Sequence, residues 1–379
     1  MNEREFNQSN VFCDVLPLAE RLRARIRLKG AITFRDFMQS ALYDERGGYY
    51  QQSHIARWGR VGDYRTSPES SSLFAITFAN YFAALYEELG APPRWTIFEA
   101  GAGAGDFARG LLEAFAQDYP RVFQATRYMI DEASSDARAC AANRLAHFGE
   151  RVESCHLADT KVLSEPSIVF SNELLDAFPV HRIQFSGGKF LEFYVDVDEH
   201  ENFCWKIGKL SNAHLAEFFE RTSNKLFEGQ IVEVNLAAAD YIGRVGELVQ
   251  EGYVVTVDYG AETAELRDAP HRFAGTLRAI RRHQFAENLL ACPGEQDLTS
   301  TIDWTHIKQA GEEAGLRTIL FARQDEFLLQ AGLLEMLERE AMRAQTEAER
   351  TRLRLEAREM ILPERMSRSF HVLVQRKRS

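Results

Sequence analysis

The chain has 379 residues, of which 45% are hydrophobic and 27% are charged, and its formal net charge is −11. This length exceeds that of most single domains, so one core with a large insertion, or two domains, is expected. The acidic balance argues against a nucleic-acid partner, because phosphates require clustered Lys and Arg, whereas it suits a basic protein partner.

The cysteines are scattered, with neither a CxxC pair nor a histidine at zinc-ligand spacing, so no metal site and a reducing compartment are expected. They are Cys13, Cys140, Cys155, Cys204 and Cys292. The first ten residues, MNEREFNQSN, resemble neither a secretory signal nor an Arg-rich transit peptide. No apolar run reaches the length of about 20 residues that a membrane span needs. These features predict a cytoplasmic location without a membrane partner.

Residues 95–100 are predicted to form a core strand that leads into a glycine-rich turn, and the stretch reads WTIFEAGAGAGD. Apolar residues recur at helical spacing after the turn, so it joins a strand to a helix. A cofactor that contacts the backbone requires glycine, because a Cβ would block both the approach and a positive φ. Gly101, Gly103 and Gly105 are therefore candidate cofactor-binding residues.

Two kinds of cofactor could bind such a turn. A nicotinamide fingerprint has its third glycine where this chain has Asp106, and Glu99 would repel an anionic pyrophosphate. S-adenosylmethionine carries a sulfonium and an ammonium, so the Glu99 carboxylate opposes the right charge and is a further candidate cofactor contact. A tight connection that binds no ligand is the alternative.

The second core strand, predicted over residues 127–132, ends in two acids before a helix that Ser134 or Ser135 could cap. Glu132 is the candidate for the ribose hydroxyls, and it follows the glycines by about 30 residues where about 20 is usual. Asp131 is the poorer candidate if the strand alternates normally. A solvated acid at a strand end is the alternative interpretation.

Another buried strand, residues 167–172, runs into polar side chains at its carboxyl end, the edge where open α/β sheets bind ligands. Asn172, Glu173 and Asp176 are the candidate catalytic residues. Paired carboxylates could orient and partly neutralise a cationic acceptor such as a guanidinium. Asp176 could equally be a helix or turn acid.

The remaining strands of a seven-stranded α/β sheet are predicted at residues 151–156, 252–258, 317–322 and 370–375. Between the fourth and fifth core strands, short alternating runs around the glycine pair at 187 and 188 predict hairpins. Residues 325–360 are predicted to be one long charged helix or a helical pair, and packing of one face is preferred to a dimer coiled coil.

Seven segments resemble, in order, those of the MidA-type family of class I S-adenosylmethionine-dependent methyltransferases. They are ITFRDFMQSALYDERGGYY, GRVGDYRTSPESSSLF, EAGAGAGDFARGLL, FSNELLDAFPVHR, VVTVDYG, GTLRA and PGEQDLTSTIDW. The family includes the protein-arginine methyltransferase of mitochondrial complex I assembly. The resemblance implies a Rossmann-like sheet, S-adenosyl-L-methionine as cofactor, and in-line methyl transfer, with a protein arginine as the first choice of acceptor.

The resemblance also implies a domain order: an N-terminal helical and loop cap over the cofactor (1–93), the first part of the cofactor domain (94–181), an inserted β-rich acceptor region (182–235) and the completion of the core (236–379). Asp63 and Thr66 in the cap join the candidate cofactor contacts. Arg65 departs from the family pattern, and it would repel a guanidinium unless Asp63 or Glu69 pairs with it.

Two other functions stay open. A small-molecule O- or N-methyltransferase is one, and there His283 could be the proton acceptor. An assembly or binding protein that keeps the fold with little turnover is the other. The sequence does not define the oligomeric state, and a homodimer is one possibility.

Overall fold

The computed structural model describes residues 16–52, 71–222, 226–281, 284–362 and 369–378. The chain divides into two compact units. The first comprises Met1–Ala56, Ala177–Ala237 and Thr263–Thr301, and the second comprises Arg57–Asp176, Ala238–Glu262 and Ile302–Ser379. The four-segment division given above stays a prediction.

The described α-helices, in chain order, are α1 (Leu18–Lys29), α2 (Phe34–Tyr43), α3 (Ser72–Glu88), α4 (Asp106–Asp118), α5 (Pro120–Ala125), α6 (Ser135–Leu145), α7 (Ala213–Thr222), α8 (Leu236–Leu248), α9 (Thr263–Asp268), α10 (Trp304–Glu313), α11 (Gln324–Gln330), α12 (Leu333–Arg343) and α13 (Glu347–Ile361). Short 3-10 turns occur at Tyr49–Gln51, Ala146–Arg151, Leu175–Ala177 and Pro270–Arg272. Among the described residues, no helix has both the length and the apolar character needed to cross a bilayer.

The described strands are β1 (Ile32–Thr33), β2 (Trp95–Ala100), β3 (Thr126–Asp131), β4 (Val152–Cys155), β5 (Ser167–Asn172), β6 (His181–Ser186), β7 (Lys189–Val197), β8 (Phe203–Gly208), β9 (Ile231–Val234), β10 (Gly252–Ala261), β11 (Arg278–Arg281), β12 (Gln284–Ala286), β13 (Asp297–Thr299), β14 (Ile302–Asp303), β15 (Arg317–Arg323) and β16 (Phe370–Lys377).

The second unit contains a sheet in the order β15-β16-β10-β5-β2-β3-β4, with β14 paired to β10. The pairs from β10 to β4 are parallel, and β16 runs antiparallel to both of its neighbours. All seven strands predicted for the core are present. Every residue of β2 and β10 is buried, as expected for central strands covered on both faces.

Aromatic side chains fill much of the core on this sheet. Phe107 of α4 stacks on Phe170 of β5, with ring centroids 4.1 Å apart, and Phe78 and Phe82 of α3 contact both rings. Fully burying an aromatic side chain contributes about 1.5–3 kcal/mol relative to leaving it exposed. This packing anchors α3 and α4 to the sheet and so holds the turn that precedes α4.

The first unit contains two antiparallel sheets, β1-β7-β6-β9 with β8 paired to β7, and β12-β11-β13. Ser186 pairs with Lys189 around Gly187 and Gly188, which have φ of +58° and +73°, so the glycine pair forms the predicted hairpin turn. The stretch from 182 to 235 is β-rich as expected, although it also contains α7.

The segment predicted as one long helix or a pair is three helices, α11 to α13. Gly332, with φ of +92°, precedes α12, and this conformation separates it from α11. Thr346 and Glu349 form a reciprocal capping box that starts α13. The positive φ of Gly332 and the capping box at Thr346 therefore divide a segment in which the spacing of apolar residues shows no interruption.

Candidate cofactor and active site

The glycine turn lies between β2 and α4 in the second unit. Gly101, Gly103 and Gly105 have φ of +70°, +54° and +80°, values that residues other than glycine rarely adopt. A Cβ on Gly101 would lie 2.9 Å from Leu174 Cδ1, and one on Gly105 would lie 3.1 Å from Ala141 Cβ. Backbone conformation and close packing thus require glycine at 101 and 105, and the turn presents bare backbone.

Glu132, directly after β3, connects the glycine turn to its own loop. Its Oε2 accepts from the Gly103 backbone N–H at 2.8 Å, and its Oε1 accepts from the Ser134 N–H at 2.8 Å. The structure therefore brings Glu132 and Gly103 together. Each carboxylate oxygen can accept more than one hydrogen bond.

Two arginines of α6 reach the same loops, and the sequence reasoning missed both. Arg138 Nη1 donates to the backbone oxygens of Glu132, at 2.5 Å, and Ala133, at 3.0 Å. Arg144 Nη1 donates to the Ala104 oxygen at 2.9 Å and pairs with the Asp106 carboxylate. No sequence signal marks these roles, because the carbonyl groups that the arginines meet belong to other loops.

Glu99 is 4% exposed on β2, and its Oε2 accepts a hydrogen bond from the Tyr128 hydroxyl at 2.7 Å. Burial, with smaller contributions from the nearby acids Glu132 and Asp106, raises the pKa of Glu99 to about 8, against the lowering effect of the Tyr128 bond. The group is therefore mostly protonated at pH 7. The attraction for a cation that the sequence suggested becomes strong only when this proton is lost.

The carboxyl end of β5 carries two of the three predicted catalytic residues. Asn172 Nδ2 donates to Glu173 Oε1 at 3.1 Å, and Asn172 Oδ1 is buried with no hydrogen-bond partner in the described part of the chain. Glu173 has φ of +51°, a strained conformation for a residue with a side chain. Strain of this kind persists only where the surroundings hold it, and it occurs often at active sites.

Asp176 follows in the 3-10 turn, and its backbone N–H donates to Asp258 Oδ2 at 3.3 Å. Asp258, on β10, is fully buried. Burial raises its pKa well above the usual range, and the nearby Asp176 and Glu173 carboxylates add to this effect. Asp258 lies in VVTVDYG, one of the seven resembling segments, but was not among the predicted site residues. A signal for it was available, because Asp258 is a polar residue near the carboxyl end of an apolar strand. The same pattern led to the prediction of Asn172.

Six residues that the sequence analysis discussed lie outside the described residues: Cys13, Asp63, Arg65, Thr66, Glu69 and His283. Their predicted roles stay predictions. Within the described residues, no group of three or more His, Cys, Asp or Glu side chains could hold a metal ion.

Comparison with known proteins identifies the family. Residues 77–322 match the model of a family described as "Putative S-adenosyl-L-methionine-dependent methyltransferase". The chain belongs to this family. The identification as a MidA-type class I methyltransferase is confirmed, as are the enzyme class and S-adenosylmethionine as the cofactor.

A crystal structure of a superfamily member from Burkholderia thailandensis bound to S-adenosyl-homocysteine is similar to this methyltransferase, with a TM-score of 0.83 and 27% identity. The match covers 95% of this chain and 92% of that chain. A second, native structure from the same organism has a TM-score of 0.81. The predicted Rossmann-like α/β fold is therefore confirmed.

The methyltransferase is also similar to proteins named protein arginine methyltransferase NDUFAF7. The Drosophila melanogaster homologue is 24% identical over 79% of this chain and 70% of its own length, and the Homo sapiens protein is 23% identical over 84% and 74%. Both are named mitochondrial. The prediction of a cytoplasmic location is contradicted by these names and was wrong, because cysteine usage indicates redox conditions rather than a particular compartment.

Proposed function

We propose that this methyltransferase transfers the methyl group of S-adenosylmethionine to a guanidinium nitrogen of an arginine in a protein. The observation that carries the proposal is the position of Glu173. Strand β5 pairs with β2 so that Ser171 lies opposite Ala100. The turn after β5 therefore lies beside the glycine turn, and Leu174 lies against Gly101.

The residues of the glycine turn and of the loop after β3 fit the cofactor. The three turn glycines have positive φ and carry no side chain, which suits a turn that a cofactor contacts, and the Glu132 carboxylate can accept hydrogen bonds from ribose hydroxyls. Glu99 in its ionised form suits an ammonium. When bound, S-adenosylmethionine supplies a methyl group that its sulfonium has already activated. Asp63 and Thr66 remain proposed contacts.

The groups at the end of β5 suit a guanidinium acceptor. The Glu173 carboxylate can accept its N–H groups in a charge-assisted pair, and the buried Asn172 Oδ1 offers a further acceptor. Asp176 adds a second carboxylate in the turn that follows β5. These residues would orient one nitrogen toward the donor, stabilise the acceptor's charge and accept the proton that this nitrogen loses as the new N–C bond forms, so catalysis rests mainly on proximity and orientation.

A basic protein is the proposed partner. The names of the relatives support an arginine acceptor, and the net charge of −11 favours encounter with a positively charged surface. A small-molecule acceptor is the competing proposal, and the experiment below separates the two.

In the test, the purified methyltransferase and radioactive S-adenosylmethionine are added to a lysate that lacks this methyltransferase. The acceptor protein that becomes labelled is then hydrolysed in acid. Methylarginine is the expected product. Glu173→Gln should leave S-adenosylhomocysteine affinity unchanged and lower the labelling rate by about 10²-fold or more, because the charge that faces the acceptor is lost.

The matched control is Glu113→Gln on the exposed face of α4, which should label at the wild-type rate. Label that appears only in the small-molecule fraction would replace the protein acceptor with a metabolite. Loss of S-adenosylhomocysteine binding in Glu173→Gln would instead make Glu173 a cofactor ligand.

A further inference from the structure

The carboxyl group of Asp258 is fully buried and accepts hydrogen bonds from three backbone N–H groups. Its Oδ1 accepts from Tyr259 at 2.8 Å, and its Oδ2 accepts from Leu175 at 2.9 Å and from Asp176 at 3.3 Å. Burying a carboxyl group is costly unless its oxygens are hydrogen-bonded. The site is thus built for this side chain.

These bonds join the end of β10 to the turn that follows β5. Asn172 pairs with Val257 in the parallel register, and the Glu173 N–H donates to the Val257 oxygen at 2.9 Å. After Glu173 the chain leaves the sheet with φ of +51°. From that point, the Asp258 carboxyl group supplies the contacts that take the place of strand pairing and hold the strained turn.

We infer that Asp258 is a positioning residue for methyl transfer, which fixes the turn of residues 173–176 and thereby the side chains of Asn172, Glu173 and Asp176. This inference rests on the acceptor-binding role proposed above for those residues. Asp258 acts through the turn and is not itself placed against the acceptor.

Asparagine at position 258 has nearly the same shape but only one acceptor oxygen. Its amide NH₂ would face a backbone N–H on one side, so either the Tyr259 bond or the bonds to Leu175 and Asp176 are lost. Without these bonds the turn can relax from the strained conformation at Glu173. Donor binding, which depends on the glycine turn and Glu132, should persist.

The experiment compares Asp258→Asn with wild type in the lysate labelling assay, with S-adenosylhomocysteine affinity measured by titration calorimetry. We expect kcat to fall by about 10-fold to 100-fold, the range that a displaced reacting group produces. The KM for the donor and the S-adenosylhomocysteine dissociation constant should stay within about twofold of wild type. A general loss of structure would weaken donor binding as well.

Thr256→Val is the matched control, since Thr256 is buried on the same strand two residues earlier and its hydroxyl has no partner among the described residues. It should leave kcat unchanged. Full activity in Asp258→Asn would overturn the inference. If wild type labels a residue other than arginine, the arginine proposal fails while the comparison of Asp258→Asn with wild type still decides the positioning role.

Amide hydrogen exchange gives a second measurement that needs no acceptor, and its wild-type arm needs no variant. In the wild-type protein, the Leu175 and Asp176 amides should exchange slowly because each donates to Asp258. In Asp258→Asn their exchange should accelerate while the glycine turn stays protected. Exchange of both amides in wild type at the rate of an unstructured peptide would also overturn the inference.

Discussion

The buried carboxyl group of Glu99 precedes the glycine turn, and its protonation state depends on its surroundings. Its pKa of about 8 lies above the ordinary glutamate value of 4.5. Between these two pH values, the folded protein therefore keeps a proton on Glu99 that the unfolded chain has already released. The stability contributed by this group is fully present below pH 4.5 and is lost as the pH rises through about 8.

In wild type, the unfolding free energy should therefore fall by up to about 1.4 kcal/mol per pH unit across that window because of Glu99. We expect this fall to be absent in Glu99→Gln. Glutamine keeps an oxygen for the Tyr128 hydroxyl. Urea denaturation of both proteins from about pH 5 to pH 9 measures the difference. Parallel pH profiles for wild type and variant would show that Glu99 titrates normally.

Glu132 offers a second prediction at the residue scale. Glu132→Ala should weaken S-adenosylhomocysteine binding by about 1.5–3 kcal/mol, because it removes a charged hydrogen-bond acceptor and the bond from the Gly103 N–H. Titration calorimetry measures the change. Asp131→Asn is the comparison, and an unchanged affinity in Glu132→Ala with a loss in Asp131→Asn would assign the ribose contact to Asp131.

At the scale of elements, α6 links the two loops of the proposed cofactor site. It presents Arg138 to the loop after β3 and Arg144 to the glycine turn. Both bonds end on backbone carbonyl groups, so they hold loop conformation. Because the loops belong to separate strand-to-helix connections, the helix makes them act as one site.

We expect Arg144→Ala to lower S-adenosylhomocysteine affinity by about 1–2 kcal/mol through loosening of the glycine turn. Arg144→Lys should recover only part of this loss, because an ammonium cannot match the fork of a guanidinium. Arg109→Ala is the control, because Arg109 also pairs with Asp106 but is 47% exposed, with its Nη2 3.8 Å from Asp106 Oδ1. Equal losses in Arg144→Ala and Arg109→Ala would point to charge alone, with no role for the carbonyl bond.

At the scale of the whole molecule, cofactor binding should stabilise the folded chain. S-adenosylhomocysteine at 100 times its dissociation constant should add about 2.7 kcal/mol and raise the melting temperature, whereas NAD should not. Gly101→Val should abolish the shift, because its Cβ would lie 2.9 Å from Leu174 and its φ is +70°. Differential scanning calorimetry measures each shift.

Gly187→Val is the control for backbone strain. Gly187 also has a positive φ, +58°, but a Cβ there meets nothing within 4 Å. This variant should melt at a lower temperature and keep the full shift with S-adenosylhomocysteine. A shift with NAD in wild type, or an unaltered shift in Gly101→Val, would contradict the assignment of the turn to the methyl donor.

Sequence alone determined the features that depend on neighbouring residues. Buried strands read as apolar runs, the glycine turn follows from spacing, and polar residues at strand ends marked the carboxyl edge of the sheet. The Thr346–Glu349 capping box is also local and was readable in principle. Together with the resemblance of seven segments to a known family, these signals were sufficient for the fold, the family and the cofactor.

Only the tertiary structure decided how the site is held together. The Glu132–Gly103, Arg144–Ala104 and Asp258–Leu175 contacts join residues 29, 40 and 83 positions apart. Sequence spacing carries no signal for such pairs, because which loops meet depends on strand order and register. Burial has the same origin, so the raised pKa of Glu99 and the role inferred for Asp258 follow from the packed sheet.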